Sequence, residues 1–316
     1  MRVAVFTEPH RGADYDTQLR FARLVEAGGF DGFFRADHYQ AMGDEPGLPG
    51  PTDAWLTLAA LARETSRIRL GTLVTSATFR LPGPLAVMVA QVDQMSGGRV
   101  ELGIGAGWYE REHTSYGIPF PAVGERFDRL AEQLEIVTGL WRTPVGETYS
   151  YTGDHYRLVD APALPKPTQR PGPPVIIGGR GPKRTPELAA RYADEYNMPF
   201  KSVEETAAAF ERVREASDRT GRTGSGRAPL VLSAGVVVAI GRTDAEARHR
   251  AAPLHVKSAL PPEDPVVGSP AQLVDRLGEF AAIGATRVHL RLIDLDDLDH
   301  LELIAAEVLP QLDGTR

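Results

Sequence analysis

Residues 3–36 read VAVFTEPHRGADYDTQLRFARLVEAGGFDGFFRA, a stretch with two strand patterns on either side of a helix pattern. Val3–Thr7 is a short apolar run of the kind that forms a buried strand. A helical pattern follows at residues 16–27, and a pair of glycines ends it. Gly32–Ala36 is the second apolar run. A strand, a helix and another strand in this order form the repeating unit of α/β folds.

The same alternation continues to the end of the chain. Further strands are predicted at 68–75, 100–104, 175–177, 195–197, 230–240 and 286–292. Further helices are predicted at 54–63, 85–95, 126–140, 186–192, 204–220, 244–260, 271–283 and 298–312. Eight strands that are rich in Val, Ile and Leu on both faces and alternate with helices are what a (β/α)8 TIM barrel requires. A doubly wound parallel sheet is the competing architecture.

The alternation pauses between the fourth and fifth predicted strands. Residues 148–151 and 155–158 flank Gly153-Asp154 and predict a β-hairpin. The Pro-rich connector at 161–174 cannot be helical. We therefore expect a TIM barrel with an insertion between strands four and five. Residues 1–316 are treated as a single domain, although the length alone suggests about two.

The composition limits the chemistry that the chain can perform. It has 316 residues, 35 basic and 42 acidic side chains, a net charge of −7 and no cysteine. Without cysteine there is no disulfide, thiolate nucleophile, Cys-ligated zinc or iron–sulfur cluster, so redox chemistry requires a dissociable cofactor. The acidic balance argues against nucleic-acid binding and favours catalysis on a small molecule.

The sequence also lacks targeting and membrane signals. Met1-Arg2 is followed directly by a strand, without the basic and apolar regions of a secretory signal. The longest nearly apolar segment, Leu230–Ile240, is too short to cross a bilayer as a helix. We expect a cytoplasmic protein that does not associate with membranes.

Asp37-His38 directly follows the second strand and is the first candidate for chemistry. In a TIM barrel the active site lies on the loops after the C-terminal ends of the strands. An imidazole beside a carboxylate there can move a proton near neutral pH or hydrogen-bond a redox ring. The alternative is an exposed histidine next to an aspartate that caps a turn.

Glycines follow the fourth strand, at Gly103, Gly105 and Gly107. They allow the backbone to approach a flat ligand closely. Their spacing and the prolines at 119 and 121 disagree with a Rossmann fingerprint, which needs a helix immediately after the glycines. Two interpretations stay open: a simple tight turn, or a loop that faces a cofactor.

A second glycine-rich loop, Gly178 to Arg184, separates the fifth strand from a helix and carries Arg180, Lys183 and Arg184. Exposed backbone N–H groups, the positive end of a helix and three cations form a good phosphate site. The alternative is a flexible turn with solvated basic side chains. No GK[ST] sequence follows, so a P-loop is not supported.

Other chemistries find little support in the sequence. The remaining histidines lack HxH or HExxH spacing, so no metal site is expected. The absence of a G-x-S-x-G motif disfavours a serine hydrolase. Thr72, Thr75 and Ser76 at the end of the third strand could reach a ligand with their hydroxyls, but Thr is also a common strand residue.

Five stretches, taken together and in order, resemble the bacterial luciferase-like monooxygenase superfamily. They are Asp37-His38, Gly71–Pro82, Gly103–His113, the helix start Glu125-Arg126-Phe127, and Gly178–Pro182. Within that superfamily the chain is similar to the probable coenzyme F420-dependent oxidoreductases, and the resemblance covers nearly the whole chain. It implies a TIM barrel that holds a flavin or deazaflavin at its C-terminal mouth.

The resemblance also implies roles for particular residues. His38 matches an active-site histidine near the redox ring, and Asp37 matches a carboxylate that contacts the cofactor. Leu73-Val74 matches a non-prolyl cis peptide behind the ring. Positions near the ring, the ribityl chain and the phosphate are matched by Ser76, Ala106, Gly107, Gly178, Gly179, Arg180, Gly181, Pro182 and Lys183.

The identity of the cofactor decides the reaction. F420 has carbon in place of the flavin N5, so the resemblance implies hydride transfer between F420 and a small organic substrate. FMN in the same barrel would permit monooxygenation with reduced flavin supplied by a partner reductase, and a third hypothesis is a barrel that binds flavin without catalysis. Trp108 stands where some F420-dependent sugar-phosphate dehydrogenases carry an acidic residue, so their substrate is not carried over. A homodimer is expected by analogy with the family.

Overall fold

A closed barrel of parallel strands forms the centre of the protein. The structure, a computed structural model, describes residues 1–43, 46–255, 264–292 and 294–312. Within these residues eight parallel strands pair in chain order, and the last strand pairs with the first. The (β/α)8 barrel is therefore confirmed. The doubly wound alternative is excluded because such a sheet has two open edges.

The strands and helices of the described residues have the following bounds. The barrel strands are β1 (Arg2–Thr7), β2 (Gly32–Arg35), β3 (Arg69–Thr72), β5 (Val100–Gly105), β8 (Val175–Gly178), β9 (Glu195–Pro199), β10 (Val231–Ile240) and β12 (Arg287–Arg291), and the other strands are β4 (Thr75–Ser76), β6 (Tyr149–Thr152), β7 (Arg157–Ala161) and β11 (Val266–Gly268). The helices are α1 (Tyr15–Ala27), α2 (Ala54–Glu64), α3 (Pro82–Ser96), α4 (Glu110–Ser115), α5 (Val123–Arg142), α6 (Arg184–Tyr192), α7 (Val203–Arg219), α8 (Asp244–Ala251), α9 (Pro270–Ala282), α10 (Leu298–Glu307) and α11 (Leu309–Leu312).

Local chemistry explains where several helices begin. Asp14 caps α1 by accepting the backbone N–H of Thr17, and Asp53 caps α2 by accepting those of Trp55 and Leu56. Such side chains satisfy N–H groups that have no partner inside the helix. The caps fix the points at which the chain leaves each loop and returns along the outside of the barrel.

The third predicted strand, 68–75, is divided in the structure. β3 ends at Thr72, and β4 resumes at Thr75 and pairs with the last residues of β5. The peptide bond between Leu73 and Val74 is cis, as the resemblance implied. The interruption brings Leu73 and Val74 to the wall of a cavity at the mouth of the barrel.

The segment between β5 and β8 contains α4, α5 and the antiparallel pair β6 and β7. The hairpin expected at 148–158 is thus present, with Tyr151 opposite Leu158. The helix expected at 126–140 extends over Val123–Arg142. The six-residue helix α4 was not predicted, because it is too short to show helical periodicity.

The C-terminal third differs from prediction in three places. The helix expected at 244–260 ends as α8 at Ala251 and continues as a 3-10 turn over Ala252–His255, while residues 256–263 lie outside the described residues. β11 was not predicted and pairs with the end of β10. The helix expected at 298–312 is divided at Val308 into α10 and α11.

A buried ionic cluster lies inside the barrel near the start of the strands. Arg287 donates to Glu101 and Glu195, each at 2.7 Å, and its Nε donates to Asp31 at 2.8 Å. His289 adds a 2.8 Å contact from Nε2 to Glu195. We call these five residues the Arg287 cluster. It connects β12 with β5, β9 and the loop before β2, at the opposite end of the barrel from the mouth.

Candidate active site

A cavity of about 410 Å³ lies at the mouth of the barrel. β1, β2, β5, β8, β9 and β12 contribute residues at or just beyond their last positions, as in other TIM-barrel active sites. Of the predicted site residues, the cavity wall contains Asp37, His38, Leu73, Val74, Ser76, Ala106, Gly107, Gly178, Gly179, Arg180 and Gly181. Pro182 and Lys183 are exposed and lie outside this wall.

His38 is oriented by a buried glutamate from α4. Its Nδ1 lies 2.8 Å from Oε1 of Glu112, and Oε2 of Glu112 accepts the backbone N–H of Tyr39 at 3.0 Å. Because a carboxylate accepts hydrogen bonds, the first contact places a proton on Nδ1. Nε2 of His38 makes no hydrogen bond to the described residues. His38 can therefore use Nε2 to exchange a proton with a ligand.

Aromatic rings surround the His38 imidazole. The rings of His10, Trp108 and Tyr109 stand nearly perpendicular to it, with centroid separations of 5.1, 5.8 and 6.5 Å. Burial, followed by the charge of His38, holds the pKa of His10 well below its ordinary value. His10 is therefore neutral where it packs against His38.

The loop that carries His38 is anchored by a polar network. Arg80 donates to Asp37 at 2.5 Å and to Asp53 at 2.7 Å, and Thr75 donates to the same oxygen of Asp37 at 2.9 Å. Tyr39 donates to Asp53 at 2.9 Å. Burial opposes the charge on Arg80, but Asp37 outweighs this and raises the pKa of the guanidinium. The network ties the loop after β2 to β4 and to the start of α2.

The glycines after β5 form part of the cavity wall without side chains. A β-carbon at Gly103 would lie 2.0 Å from the carbonyl oxygen of Thr72, and one at Gly107 would lie 2.4 Å from Oγ of Ser76. Gly107 also has a φ of +80°, which residues other than glycine rarely adopt. Gly105 and Gly107 line the cavity, so the loop faces open space at the mouth of the barrel.

The loop Gly178–Lys183, here called the anion loop, contains an unpaired cationic group. Nε of Arg180 donates to the carbonyl of Pro199 at 3.3 Å, whereas its Nη2 is buried without a partner among the described residues. α6 follows at once, and no side chain caps its first N–H groups. Open N–H groups at a helix start attract anions, and an orphaned buried donor lowers its free energy by gaining an acceptor.

The other two cations predicted for this loop lie elsewhere. Lys183 is exposed at the N-cap of α6. Arg184 donates to Asp128 at 2.5 Å and to the carbonyl of Gly124 at 2.9 Å, so its charge is paired with a carboxylate on α5. Arg180 is therefore the cation of the predicted three that reaches the cavity wall.

Sequence reasoning does not find Glu112, Arg80 or His10 as site residues. Glu112 is 74 positions from His38, and Arg80 is 43 positions from Asp37. Such pairs form only when the barrel closes, so no local pattern marks them. A weak signal exists for Glu112, because it belongs to the stretch 103–113 that carries the resemblance.

The described part of the chain contains neither a metal-binding cluster nor a membrane-spanning helix. Across the described ranges, no group of three or more His, Cys, Asp or Glu side chains could hold a metal ion. None of the helices within those ranges is long and apolar enough to cross a bilayer.

Two curated relatives are F420-dependent enzymes by name. The chain is 38% identical over 179 residues to an F420-dependent glucose-6-phosphate dehydrogenase of Microbacterium testaceum, which is 56% of this chain and 51% of the relative. It is 32% identical over 228 residues to the F420-dependent hydroxymycolic acid dehydrogenase of Mycobacterium tuberculosis, which is 70% of this chain and 59% of the relative. The chain thus spans between half and two thirds of the length of these two proteins.

Solved structures share the fold, and a family model identifies the chain. An F420-dependent secondary alcohol dehydrogenase, solved with an F420-acetone adduct, superposes with a TM-score of 0.82 and 19% identity over 98% of both chains. Monooxygenase RslO1 of Streptomyces bottropensis superposes with a TM-score of 0.82 and 21% identity over 99% of this chain and 100% of that chain. The model of the luciferase-like monooxygenase family matches residues 1–265. The chain therefore belongs to the luciferase-like monooxygenase family.

Proposed function

We propose that the chain is an oxidoreductase that transfers a hydride between coenzyme F420 and a small organic substrate at the mouth of the barrel. The observation that carries this proposal is one cavity lined both by the Glu112-oriented imidazole of His38 and by the anion loop with its unpaired Arg180 nitrogen. The names of the relatives support F420 as the cofactor. F420 supplies the carbon atom that gives or accepts the hydride.

The residues of the cavity fit a flat, phosphorylated cofactor. Bare backbone at Gly105 and Gly107 leaves room for a ring. A β-carbon at Gly107 would collide with Oγ of Ser76 at 2.4 Å, and one at Gly105 would crowd Val74 at 3.1 Å. Arg180 and the uncapped start of α6 offer donors to a phosphate. Asp37 keeps one oxygen, Oδ1, whose hydrogen bond to Arg80 is long at 3.4 Å. We assign cofactor contacts to Asp37, Leu73, Val74, Ser76, Ala106, Gly107, Gly178, Gly179, Arg180, Gly181, Pro182 and Lys183.

His38 is the proposed catalytic residue. When an alcohol is oxidised, the carbon loses a hydride to F420 and the hydroxyl loses a proton, which Nε2 of His38 takes up. Glu112 retains the proton on Nδ1 and stabilises the imidazolium that results. In the opposite direction the same nitrogen returns the proton to the carbonyl oxygen. General acid–base catalysis of this kind contributes about 10²- to 10⁴-fold to a rate.

The first test is a titration of the purified protein with F420 and, separately, with FMN. We expect saturable binding of F420. Tight binding of FMN together with no binding of F420 would overturn the proposal.

The second test replaces the proposed catalytic histidine. His38→Ala should lower kcat by about 10²- to 10⁴-fold, while the affinity for F420 changes little. His249→Ala, which alters an exposed histidine on α8, is the matched control and should keep full activity. Unchanged activity in His38→Ala would show that His38 is not the catalytic residue. Absence of any turnover by the wild-type chain would favour the hypothesis of a barrel that binds its cofactor without catalysis.

An FMN-dependent monooxygenase that receives reduced flavin is the second candidate function. The fold of monooxygenase RslO1 favours it, although that likeness concerns the fold alone. Oxygen-isotope labelling separates the two reactions, because a monooxygenase incorporates an atom of molecular oxygen into its product. Labelled product would establish the second candidate, and unlabelled product from F420-dependent turnover would establish the first.

We also propose that the protein acts as a homodimer. Leu56 on α2, Leu81 before α3 and Val87 on α3 are large apolar side chains that are exposed. Surface of this kind favours contact with a partner. Light scattering should give twice the mass of the chain, and a monomer at micromolar concentration would contradict the proposal. The cytoplasmic location stays a prediction.

A further inference from the structure

A chain of hydrogen bonds leads from the cavity wall to a buried histidine. Oγ of Ser76 lies 2.6 Å from Oγ1 of Thr78, which lies 2.6 Å from Nε2 of His113. Nδ1 of His113 lies 2.7 Å from the backbone carbonyl oxygen of Tyr109. Ser76 lines the cavity, whereas His113 is completely buried. We call these three side chains the Ser76 relay.

The direction of every hydrogen bond in the relay follows from its buried end. A carbonyl oxygen only accepts, so Nδ1 of His113 carries a hydrogen. In the neutral imidazole Nε2 is then an acceptor, so Thr78 donates to it. Because the hydroxyl of Thr78 has a single hydrogen, it can only accept from Ser76. Ser76 thus donates into the relay and presents its lone pairs to the cavity.

Packing holds the two ends of the relay in place. The His113 ring lies between Phe79 and Phe120, with centroid separations of 5.0 and 4.5 Å. At the other end, Gly107 approaches Ser76 so closely that a β-carbon there would lie 2.4 Å from the hydroxyl oxygen. The imidazole of His113 and the hydroxyl of Ser76 therefore have little room to turn toward another hydrogen-bond partner.

We propose that the Ser76 relay makes Ser76 a fixed hydrogen-bond acceptor, so that the cavity selects a ligand with an N–H or O–H group facing it. Thr78 and His113 are positioning residues in this account, since they act on the ligand only through Ser76. The inference rests on the proposed function in one respect, namely that the ligand is a ring cofactor bound beside Gly107. A serine without the relay could rotate and would donate or accept equally well.

The first test needs no ligand and examines the relay itself. In protein with ¹⁵N-labelled histidine, the imidazole resonances of His113 at pH 7.5 should show Nδ1 protonated and Nε2 unprotonated. Thr78→Val should shift the Nε2 resonance, because it removes the donor while keeping the shape of the side chain. A hydrogen on Nε2 in the wild-type protein would overturn the proposal, whether or not F420 binds.

The second test is a double-mutant cycle read as the dissociation constant of F420. Ser76→Ala and Thr78→Val should each weaken binding by about 3- to 10-fold, and Thr78→Ser should retain wild-type affinity. The double variant Ser76→Ala with Thr78→Val should bind no more weakly than Ser76→Ala alone, because Thr78 acts through Ser76. Additive effects, or unchanged affinity in Thr78→Val, would contradict the proposal.

A control separates the relay from general damage to the fold. Thr138→Val removes another buried threonine hydroxyl, one that donates to the carbonyl of Leu134 at 2.7 Å on α5. It should leave the affinity for F420 unchanged. If the wild-type chain binds FMN and not F420, the proposed function fails while the same cycle with FMN still decides the relay.

Discussion

The two ends of the barrel each hold an arginine, and the two arginines differ in how many of their nitrogens are hydrogen-bonded. At the start of the strands every guanidinium nitrogen of Arg287 donates to a carboxylate of Asp31, Glu101 or Glu195. At the mouth Arg180 makes a single 3.3 Å bond through Nε to a backbone carbonyl, and Nη2 has no partner in the described structure. The difference teaches that a buried charge with every nitrogen paired supports the fold, whereas the unpartnered Nη2 of Arg180 leaves a hydrogen-bond donor open at the cavity.

The largest effect is expected from removal of the fully paired arginine, Arg287. Arg287→Met leaves Glu101 and Glu195 buried without their cation, and an uncompensated buried charge costs about 3–5 kcal/mol of unfolding free energy. Urea unfolding followed by circular dichroism measures the loss. Arg23→Met, which breaks an exposed pair with Glu64 at 2.7 Å, is the matched control and should change stability far less. Equal effects in the two variants would contradict a supporting role for the Arg287 cluster.

Acid should weaken the same cluster by a smaller amount. Burial alone would raise the pKa of Glu101 and Glu195, but the neighbouring cations together outweigh it. Arg287 with Arg69 lowers the pKa of Glu101, and Arg287 with His289 lowers that of Glu195, so both lie below the ordinary value of 4.5. The unfolded chain therefore binds more protons as the pH falls through 4.5, and stability is lost from there downward. Between pH 7 and pH 4 the loss from these two groups is about 1–2 kcal/mol.

Melting curves over this pH range check the acid dependence. The wild-type protein should become less stable below the ordinary glutamate pKa, and Glu195→Gln should show a shallower dependence on pH. A melting temperature that rises as the pH falls from 6 to about 4 would have the wrong sign for depressed carboxyl pKa values.

Removal of the unpaired arginine should have the smallest effect on the fold. Arg180→Met gives up a single long hydrogen bond, so the free energy of unfolding should change by less than about 1 kcal/mol. The affinity for F420 should nevertheless fall by about 10-fold, because a charged hydrogen bond to the phosphate is lost. Calorimetric titration and melting curves of the same variant measure both quantities.

Lys183→Met is the natural companion to this variant. Lys183 is exposed and lies outside the cavity wall, so its loss should weaken F420 binding less than the loss of Arg180. A stronger effect from Lys183 would mean that the anion loop changes shape when it binds its ligand, and it would remove the distinction between paired and unpaired cations on which the comparison depends.

The residues predictable from the sequence are those that follow a strand. His38, Gly107 and Arg180 stand directly after apolar runs, and parallel strands in a barrel bring their C-terminal ends to one mouth. The periodicity of buried strands and amphipathic helices predicted the architecture, and the resemblance to a known family indicated wall residues such as Leu73, Ser76 and Ala106. Pro182 and Lys183, the last residues of the anion loop before α6 begins at Arg184, are exposed and lie outside the wall.

The residues that could not be predicted are the hydrogen-bond partners of the site residues. Glu112, Arg80 and His113 reach the mouth from helix α4 and from the loop between β4 and α3. Their contacts depend on how these irregular segments fold over the barrel, and that is decided by packing at long sequence separation. The break between β3 and β4 was also invisible to periodicity, because residues 68–75 (IRLGTLVT) show a single strand pattern.

Helix α4 carries Glu112 and His113 at neighbouring positions. Glu112 is hydrogen-bonded to His38, and His113 is hydrogen-bonded to Thr78. One six-residue segment thus sets both the proton-bearing nitrogen of His38 and the polarity of Ser76. Exchange of this segment for another would therefore change the hydrogen bond to His38 and the hydrogen bond to Thr78 at the same time.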